Sequence, residues 1–177
     1  MSIDFTRNYF ELFDLPQKFR LDILKMSEIW RNIQNQIHPD KHVNGSQYEK
    51  RLAMQWATYV NEGLVTLRDP VSRARYLLSL HGFDTHEETD TRMPTDFLME
   101  QMSWREAVYD AIHNKNINML NELFNQLREV IAAGESKLGQ LIDDEGNYSA
   151  AVTEVRKLRF LQHFSQDITQ SIERLEQ

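Results

Sequence analysis

The chain contains no cysteine among its 177 residues. Disulfide bonds, thiolate metal sites and cysteine nucleophiles are therefore all excluded. No apolar run reaches the roughly 18–20 residues that span a bilayer. The first residues, Met1-Ser2-Ile3-Asp4, are not a basic region followed by an apolar core, so no secretory signal is predicted. We expect a cytoplasmic protein of one or two domains with a sizeable core.

Positive charge is scarce in the second half of the chain. Residues 1–82 hold 11 Lys/Arg and 9 Asp/Glu, whereas residues 83–177 hold 9 and 18, so their net charges are +2 and −9. This excess of acid argues against nucleic-acid binding, which requires a cationic face. The sequence has no glycine-rich phosphate cradle and no calcium-loop spacing in the acidic run 143–145. His38 and His42 have the i, i+4 spacing of helical metal ligands, but they straddle Pro39 and a loop, so no helical ligand pair is predicted. We therefore predict no catalytic residues, no metal and no cofactor.

Apolar residues recur at spacings of three and four along most of the chain, which predicts an all-α fold. We expect Asp22 to cap the second helix, Gly82 to end the fourth and Ser149 to cap the last one. Residues 84–95 contain four acidic residues, four threonines and a proline, and are the predicted linker. An amino-terminal domain built on a helical hairpin (1–83) is thus followed by a three-helix bundle (96–177).

Residues His38-Pro39-Asp40-Lys41 stand between two amphipathic stretches. Apolar residues repeat at helical spacing from Met26 to Ile37 and again from Leu52 to Leu67. Pro39 lacks an N–H and restricts His38 to extended conformations, so the first of these helices must end about there. An isolated His-Pro-Asp tripeptide is weak evidence of function. Here, however, the tripeptide lies at the tip of a predicted helical hairpin.

Residues 4–76 resemble a J-domain, the module that stimulates ATP hydrolysis by chaperones of the DnaK class. The resemblance depends on the tripeptide and on Asn61-Glu62 and Arg68-Asp69-Pro70 late in the second hairpin helix. It implies that Asp40 pairs with an arginine of the partner ATPase through a charge-assisted hydrogen bond. Lys25 and Arg31 would add a basic face, although solvated arginines are also common on helices. The implied chaperone-binding residues are His38, Pro39, Asp40, Lys41, Arg31 and Lys25.

The helix predicted to begin near Asp96 has two apolar faces. At about 100° per residue, its core stripe consists of Phe97, Trp104, Val108 and Ala111. Leu98, Met99 and Met102 point between about 100° and 200° away from Phe97, alongside Arg105, Glu106 and Tyr109. In the last helix, Phe160 lies about 110° from the axis of its own core stripe. The second face either packs on the linker or the J-domain or binds a partner, and flexible methionines favour binding.

The resemblance becomes more specific when the rest of the chain is included. The motifs that carry it there are residues 76–84, 97–101 and 155–161. With them, essentially the whole chain resembles the HscB family of iron–sulfur cluster assembly co-chaperones. The resemblance implies two partners, an IscU-type iron–sulfur scaffold protein and an HscA-type chaperone of the DnaK class. It also implies that the scaffold binds the second apolar face through Leu98, Met99, Met102, Arg105, Glu106 and Phe160.

Two other interpretations remain. In the first, the chain is a J-domain adaptor whose bundle recruits a different client. Measuring whether the iron–sulfur scaffold binds the chain distinguishes this adaptor from an HscB-type co-chaperone. In the second, the chain is a small helical hydrolase. The second is disfavoured because the sequence contains no nucleophile–base arrangement, and a test for intrinsic ATPase activity separates it from the adaptors.

Overall fold

The computed structural model describes residues 6–37, 46–85 and 93–176. Within these ranges the chain is helical and contains no strand, so the predicted all-α fold is confirmed. The chain forms two compact units, residues 1–77 and 78–177. The helices are α1 (Tyr9–Leu12), α2 (Ile23–Ile37), α3 (Gln47–Arg68), α4 (Pro70–Leu80), α5 (Thr95–His113), α6 (Ile117–Gly139) and α7 (Tyr148–Glu176), with a π-helical turn at Gln140–Asp144.

In the described part of the chain, no helix combines the length and the apolar character that crossing a membrane requires. Residues 86–92 of the predicted linker lie outside the described residues. The boundary between the two compact units falls inside α4. The division into a J-domain ending at residue 83 and a bundle beginning at residue 96 stays a prediction.

Local hydrogen bonds set where the helices of the first unit begin. Asp22 accepts a hydrogen bond from the Lys25 amide at 2.9 Å, so its predicted capping role is confirmed. Ser46 and Glu49 form a reciprocal capping box at the start of α3, with bonds of 3.2 and 2.7 Å. Pro70 occupies the first position of α4, where its missing N–H removes no helical hydrogen bond.

The first unit buries one face of each of its helices. α2 packs against α3, and α1 packs against α3. Fully burying each large apolar side chain stabilises the fold by about 1.5–3 kcal/mol. The buried side chains include Phe10, Phe13, Met26, Val60, Leu67, Val71 and Leu77.

Three tyrosines join α1 to α3 and α4. The Tyr9 and Tyr76 rings lie 4.6 Å apart, and the Tyr9 and Tyr59 rings lie 5.2 Å apart. The Tyr9 amide donates to the Tyr76 hydroxyl oxygen at 3.1 Å. Burial raises the pKa of Tyr9 above its ordinary value, and the charge of Glu62 raises it further. Burial also raises the pKa of Tyr76, although the bond from the Tyr9 backbone opposes this shift.

The second unit contains the predicted three-helix bundle of α5, α6 and α7. α6 packs along α7, and α5 packs against both. Gly134 permits close approach of α6 and α7, because a Cβ atom there would lie only 2.7 Å from Leu158 Cδ2. Next to this point, Lys137 Nζ and Glu154 Oε2 form an ion pair at 2.9 Å. The core side chains are Phe97, Val108, Leu120, Leu123, Leu127, Leu138, Val155, Leu158, Leu161, Phe164 and Ile168.

The connection between α6 and α7 differs from the prediction in its capping residue. The helical path continues beyond Gly139 as the π-helical turn and ends only at Asp144. Ser149 does not cap α7, because α7 begins at Tyr148 and the Asn147 side chain accepts from the Ala150 amide at 3.2 Å. Asn147 is therefore the cap. Both residue types are good caps, so composition did not distinguish them.

The segment after α4 packs on α7 within the second unit. Gly82, at φ +80°, ends α4 as predicted, with its own amide bonded to Ser79 and the Phe83 amide bonded to Leu78. The His81 ring stacks on Tyr148 at 4.3 Å. Thr85 is buried, and its carbonyl accepts from Arg156 Nε at 2.5 Å.

Candidate protein-binding site

The main candidate site is a set of exposed apolar side chains on α5. The opposite side of the same helix supplies Phe97, Val108 and Ala111 to the core, which leaves the second face outward. Exposing large apolar side chains next to one another has no benefit for folding, since each would be more stable buried. We call this surface the α5 apolar face. It consists of Leu98, Met99 and Met102, which are 43% to 66% exposed.

Charged side chains border the α5 apolar face. Arg105 and Glu106 follow Met102 by three and four residues, the spacing of neighbours on a helix surface, and both are exposed. The Arg105 guanidinium lies over the Phe160 ring, 5.5 Å from its centroid. This cation–π contact is worth about 0.5–1 kcal/mol at an exposed site. It places a residue of α5 against one of α7, so the two helices share the site.

Phe160 is partly a core residue. Its ring meets Phe97 edge-on at 5.9 Å and stacks on Phe164 at 5.9 Å. Trp104 completes this aromatic cluster by stacking on Phe164 at 6.5 Å. The predicted position of Phe160 at the edge of its helix stripe agrees with its half-buried state. Its truncation would therefore affect both the surface and the packing.

Lys157 was not singled out from the sequence. Its ammonium group lies 5.4 Å from the centre of the Phe97 ring. Lys157 precedes Phe160 by three residues, so both side chains reach the α5–α7 contact from the same side of α7. This spacing of three residues from Phe160 is the feature of the sequence that could have identified Lys157 as part of the site. Lys157 supplies a second positive charge near the site.

The predicted basic residues of α2 are both exposed. Lys25 and Arg31 are six residues apart, which places them about 120° apart around the helix axis. They therefore do not form a single stripe. Arg31 Nε donates to the Ser27 carbonyl at 3.3 Å, so this side chain lies along its own helix. His38, Pro39, Asp40 and Lys41 lie outside the described residues.

Asn61 connects the two helices that flank the tripeptide in sequence. Its side-chain oxygen accepts from Trp30 Nε1 at 3.1 Å and from Gln34 Nε2 at 2.7 Å. One residue of α3 thus fixes α2 at two successive turns. The sequence marked Asn61 only as part of a family pattern.

Among the residues that the structure describes, no group of three or more His, Cys, Asp or Glu could hold a metal ion.

Comparisons with known proteins agree with this architecture. Residues 93–169 match the family model described as HSCB C-terminal oligomerisation domain. Over 176 residues the chain is 42% identical to the Co-chaperone protein HscB homolog of Azoarcus sp. (strain BH72), with 99% of each chain covered. The crystal structure of human co-chaperone protein HscB matches with a TM-score of 0.89 at 28% identity, covering 96% of this chain and 84% of that chain.

The structure of chaperone HscB from Vibrio cholerae matches with a TM-score of 0.81 at 32% identity, over 96% of this chain and 99% of that chain. The fold is therefore that of a co-chaperone with an amino-terminal J-domain and a carboxyl-terminal helical domain. The chain belongs to the HscB co-chaperone family, as its resemblance predicted.

Proposed function

We propose that the chain is a cytoplasmic co-chaperone of iron–sulfur cluster assembly. It binds an IscU-type scaffold protein, delivers it to an HscA-type chaperone of the DnaK class and stimulates the ATPase activity of that chaperone. The observation that carries this proposal is the α5 apolar face, which a member of the HscB family holds exposed on its helical domain. The chain itself does no chemistry in this scheme.

The α5 apolar face suits a protein partner for energetic reasons. Interfaces concentrate binding energy in a few apolar anchors that lose their water on association, each worth about 1–2 kcal/mol or more. Leu98, Met99 and Met102 provide three such anchors, and the methionines adjust their shape at low cost. Arg105 and Glu106 form a charged border that orients the partner, since rim charges contribute more to specificity than to affinity.

The J-domain supplies the second activity. We propose that Asp40 pairs with an arginine of the chaperone, with His38, Pro39 and Lys41 beside it. The Asn61 bonds to Trp30 and Gln34 support this role, because they hold α2 and α3 together next to the tripeptide in sequence. Lys25 and Arg31 are exposed and available for an acidic chaperone surface.

Scaffold binding tests the first activity. The triple variant Leu98→Ala, Met99→Ala and Met102→Ala should bind an IscU-type scaffold roughly a hundredfold more weakly in isothermal titration calorimetry. Its Tm should change little, because the three side chains are exposed. Phe160 is kept in this variant, since its ring also packs on Phe97 and Phe164.

A matched control for this variant lies on α3. Its members, Tyr48, Met54 and Val65, are 62% to 69% exposed. Their triple alanine variant should bind the scaffold like the wild type. If both triple variants bind normally, the scaffold-binding site is elsewhere. If the wild type does not bind the scaffold at all, the client is a different protein.

ATPase stimulation tests the second activity. Asp40→Asn should lower stimulation of an HscA-type chaperone at least tenfold, which corresponds to about 1.4 kcal/mol and to the loss of one charge-assisted bond. Helicity, Tm and scaffold affinity should stay unchanged. Asp167→Asn, an exposed aspartate of α7, is the control. Full stimulation by folded Asp40→Asn would contradict the assigned role, and ATP hydrolysis by the chain alone would contradict the absence of enzymatic activity.

A further inference from the structure

Two more exposed apolar side chains lie on α5 beyond the α5 apolar face. Tyr109 is 69% exposed and Ile112 is 38% exposed. With Leu98, Met102 and Arg105 they follow steps of four, three, four and three residues along the helix. At about 100° per residue, all five lie within about 80° of one another around the helix axis, over a rise of about 21 Å. They form one continuous stripe, of which Leu98 and Met102 are the first half.

The Tyr109 ring is held in place although it is exposed. It stacks on the His113 ring, one helical turn further on, with centroids 6.3 Å apart and an angle of 13° between the planes. Ordering a side chain on association costs about 0.5–1.5 kcal/mol when it is rich in rotamers. A tyrosine has few rotamers, and one already stacked by its neighbour loses less freedom on binding. Tyr109 is therefore a preorganised anchor.

The charge on α5 limits what the stripe can bind. Its carboxylates, on Asp96, Glu100, Glu106 and Asp110, outnumber its one arginine, Arg105, and its one histidine, His113. Two of these carboxylates, on Glu106 and Asp110, are sequence neighbours of stripe residues. A partner that covers Tyr109 and Ile112 must therefore bring an apolar segment with basic side chains beside it. Because the stripe is continuous with the α5 apolar face, the partner bound at Leu98 and Met102 is the one placed to supply that segment.

We propose that the scaffold-binding surface continues along α5 to Tyr109 and Ile112, and that the scaffold protein covers this extension with an apolar segment flanked by basic side chains. This inference rests on the proposed function. It makes Tyr109 and Ile112 specificity-determining residues of the scaffold interface. The interaction then runs along about four turns of α5 and is not limited to its first two.

Titration of the full-length chain with an IscU-type scaffold tests the extension. The double variant Tyr109→Ala and Ile112→Ala should weaken binding by about ten- to a hundredfold. Tyr109→Phe should bind within about twofold of the wild type, because the ring and its stacking on His113 remain. Tyr48→Ala is the matched control, since Tyr48 lies on α3 and is 67% exposed; its affinity should not change.

The outcomes separate this inference from the proposed function. If the double variant binds normally while the Leu98, Met99 and Met102 variant does not, the extension is wrong and the proposed function stands. If both variants bind normally, the scaffold-binding site lies elsewhere, and both the extension and the assignment of the α5 apolar face to the scaffold are wrong. If the double variant instead dissociates a dimer of this chain in sedimentation velocity and binds the scaffold normally, the occupant is a second copy and the extension is again wrong.

Footprinting of the wild-type chain gives a measurement that does not depend on the stability of any variant. Hydroxyl-radical labelling modifies exposed tyrosines and methionines. Adding the scaffold should reduce labelling of Tyr109 and Met102 severalfold and leave Tyr48 and Met54 unchanged. If Met102 is protected and Tyr109 is not, the scaffold ends before the extension and the inference is overturned.

Discussion

Replacing Gly134 with alanine tests how closely α6 and α7 approach. The added Cβ atom would lie 2.7 Å from Leu158 Cδ2 and 3.1 Å from Glu154 Oε1. An ordinary carbon–carbon contact is about 3.5–4.0 Å, so the fully buried Leu158 side chain must retreat by about 1 Å. Such overpacking costs about 1–3 kcal/mol, and the better helix propensity of alanine offsets about 1 kcal/mol of it. We expect a net loss of about 1 kcal/mol in the free energy of unfolding.

A double-mutant cycle with Leu158→Ala isolates the steric term. Leu158→Ala alone should cost about 2–5 kcal/mol, because the side chain is fully buried. In that background the Cδ2 atom is gone, so Gly134→Ala should stabilise the protein by up to about 1 kcal/mol. Ala133→Gly, at an exposed neighbouring position of α6, measures the helix-propensity term by itself. The difference between the two backgrounds is the cost of the close approach.

Urea denaturation followed by tryptophan fluorescence measures these free energies. Trp104 is the only tryptophan in residues 78–177, so replacing Trp30 and Trp56 with phenylalanine in every variant makes the signal specific to the second unit. If Gly134→Ala stabilises both backgrounds equally, by about the propensity difference, α6 and α7 do not meet closely at Gly134 and the reasoning is refuted.

Three further predictions concern helix capping and the tyrosines of the first unit. Asn147→Ala should destabilise α7 by about 1 kcal/mol, whereas Ser149→Ala should change the Tm little; equal losses in calorimetry would contradict the assigned cap. Tyr76→Phe removes the acceptor of the Tyr9 amide and should cost about 1 kcal/mol in urea denaturation. The folded state raises the pKa of Tyr9 and of Tyr76, so it favours the protonated form of both hydroxyls. The stability that the two protonated tyrosines contribute is therefore complete below the ordinary tyrosine pKa of about 10, and it is lost as the pH rises through their raised pKa values. Denaturation between pH 8 and 11 should therefore show an alkaline loss that is smaller in Tyr76→Phe, and an identical profile in both proteins would contradict it.

The sequence predicted the two faces of α5 because a helix repeats every 3.6 residues. Counting about 100° per residue was enough to assign Phe97 and Val108 to the core and Leu98, Met99 and Met102 to the surface. This count gives the direction of a side chain from its own helix axis. It gives no information on what the neighbouring helix places there.

Two of the features that the sequence did not predict depend on a second segment of the chain. Phe160 is half-buried because Phe97 and Phe164 reach its ring from two sides. Thr85 stands in a polar stretch and is nonetheless buried, because Arg156 holds its carbonyl. The local sequence therefore predicted neither the rings that surround Phe160 nor the burial of Thr85. The π-helical turn shifts the backbone hydrogen bonds by one residue relative to an α-helix. The spacing of apolar residues does not reveal so small a change.

The charged border of the α5 apolar face also bears on how the protein behaves before a partner arrives. A continuous apolar patch on a protein surface promotes adhesion between identical molecules. Here Arg105, which lies over Phe160, and Glu106, the next residue in sequence, place opposite charges at the border of the apolar area. Two copies that associate through this face would bring these charges into the new contact, where removing them from water costs free energy. We therefore expect the side chains that border the partner site also to limit association between copies of the chain in concentrated solution.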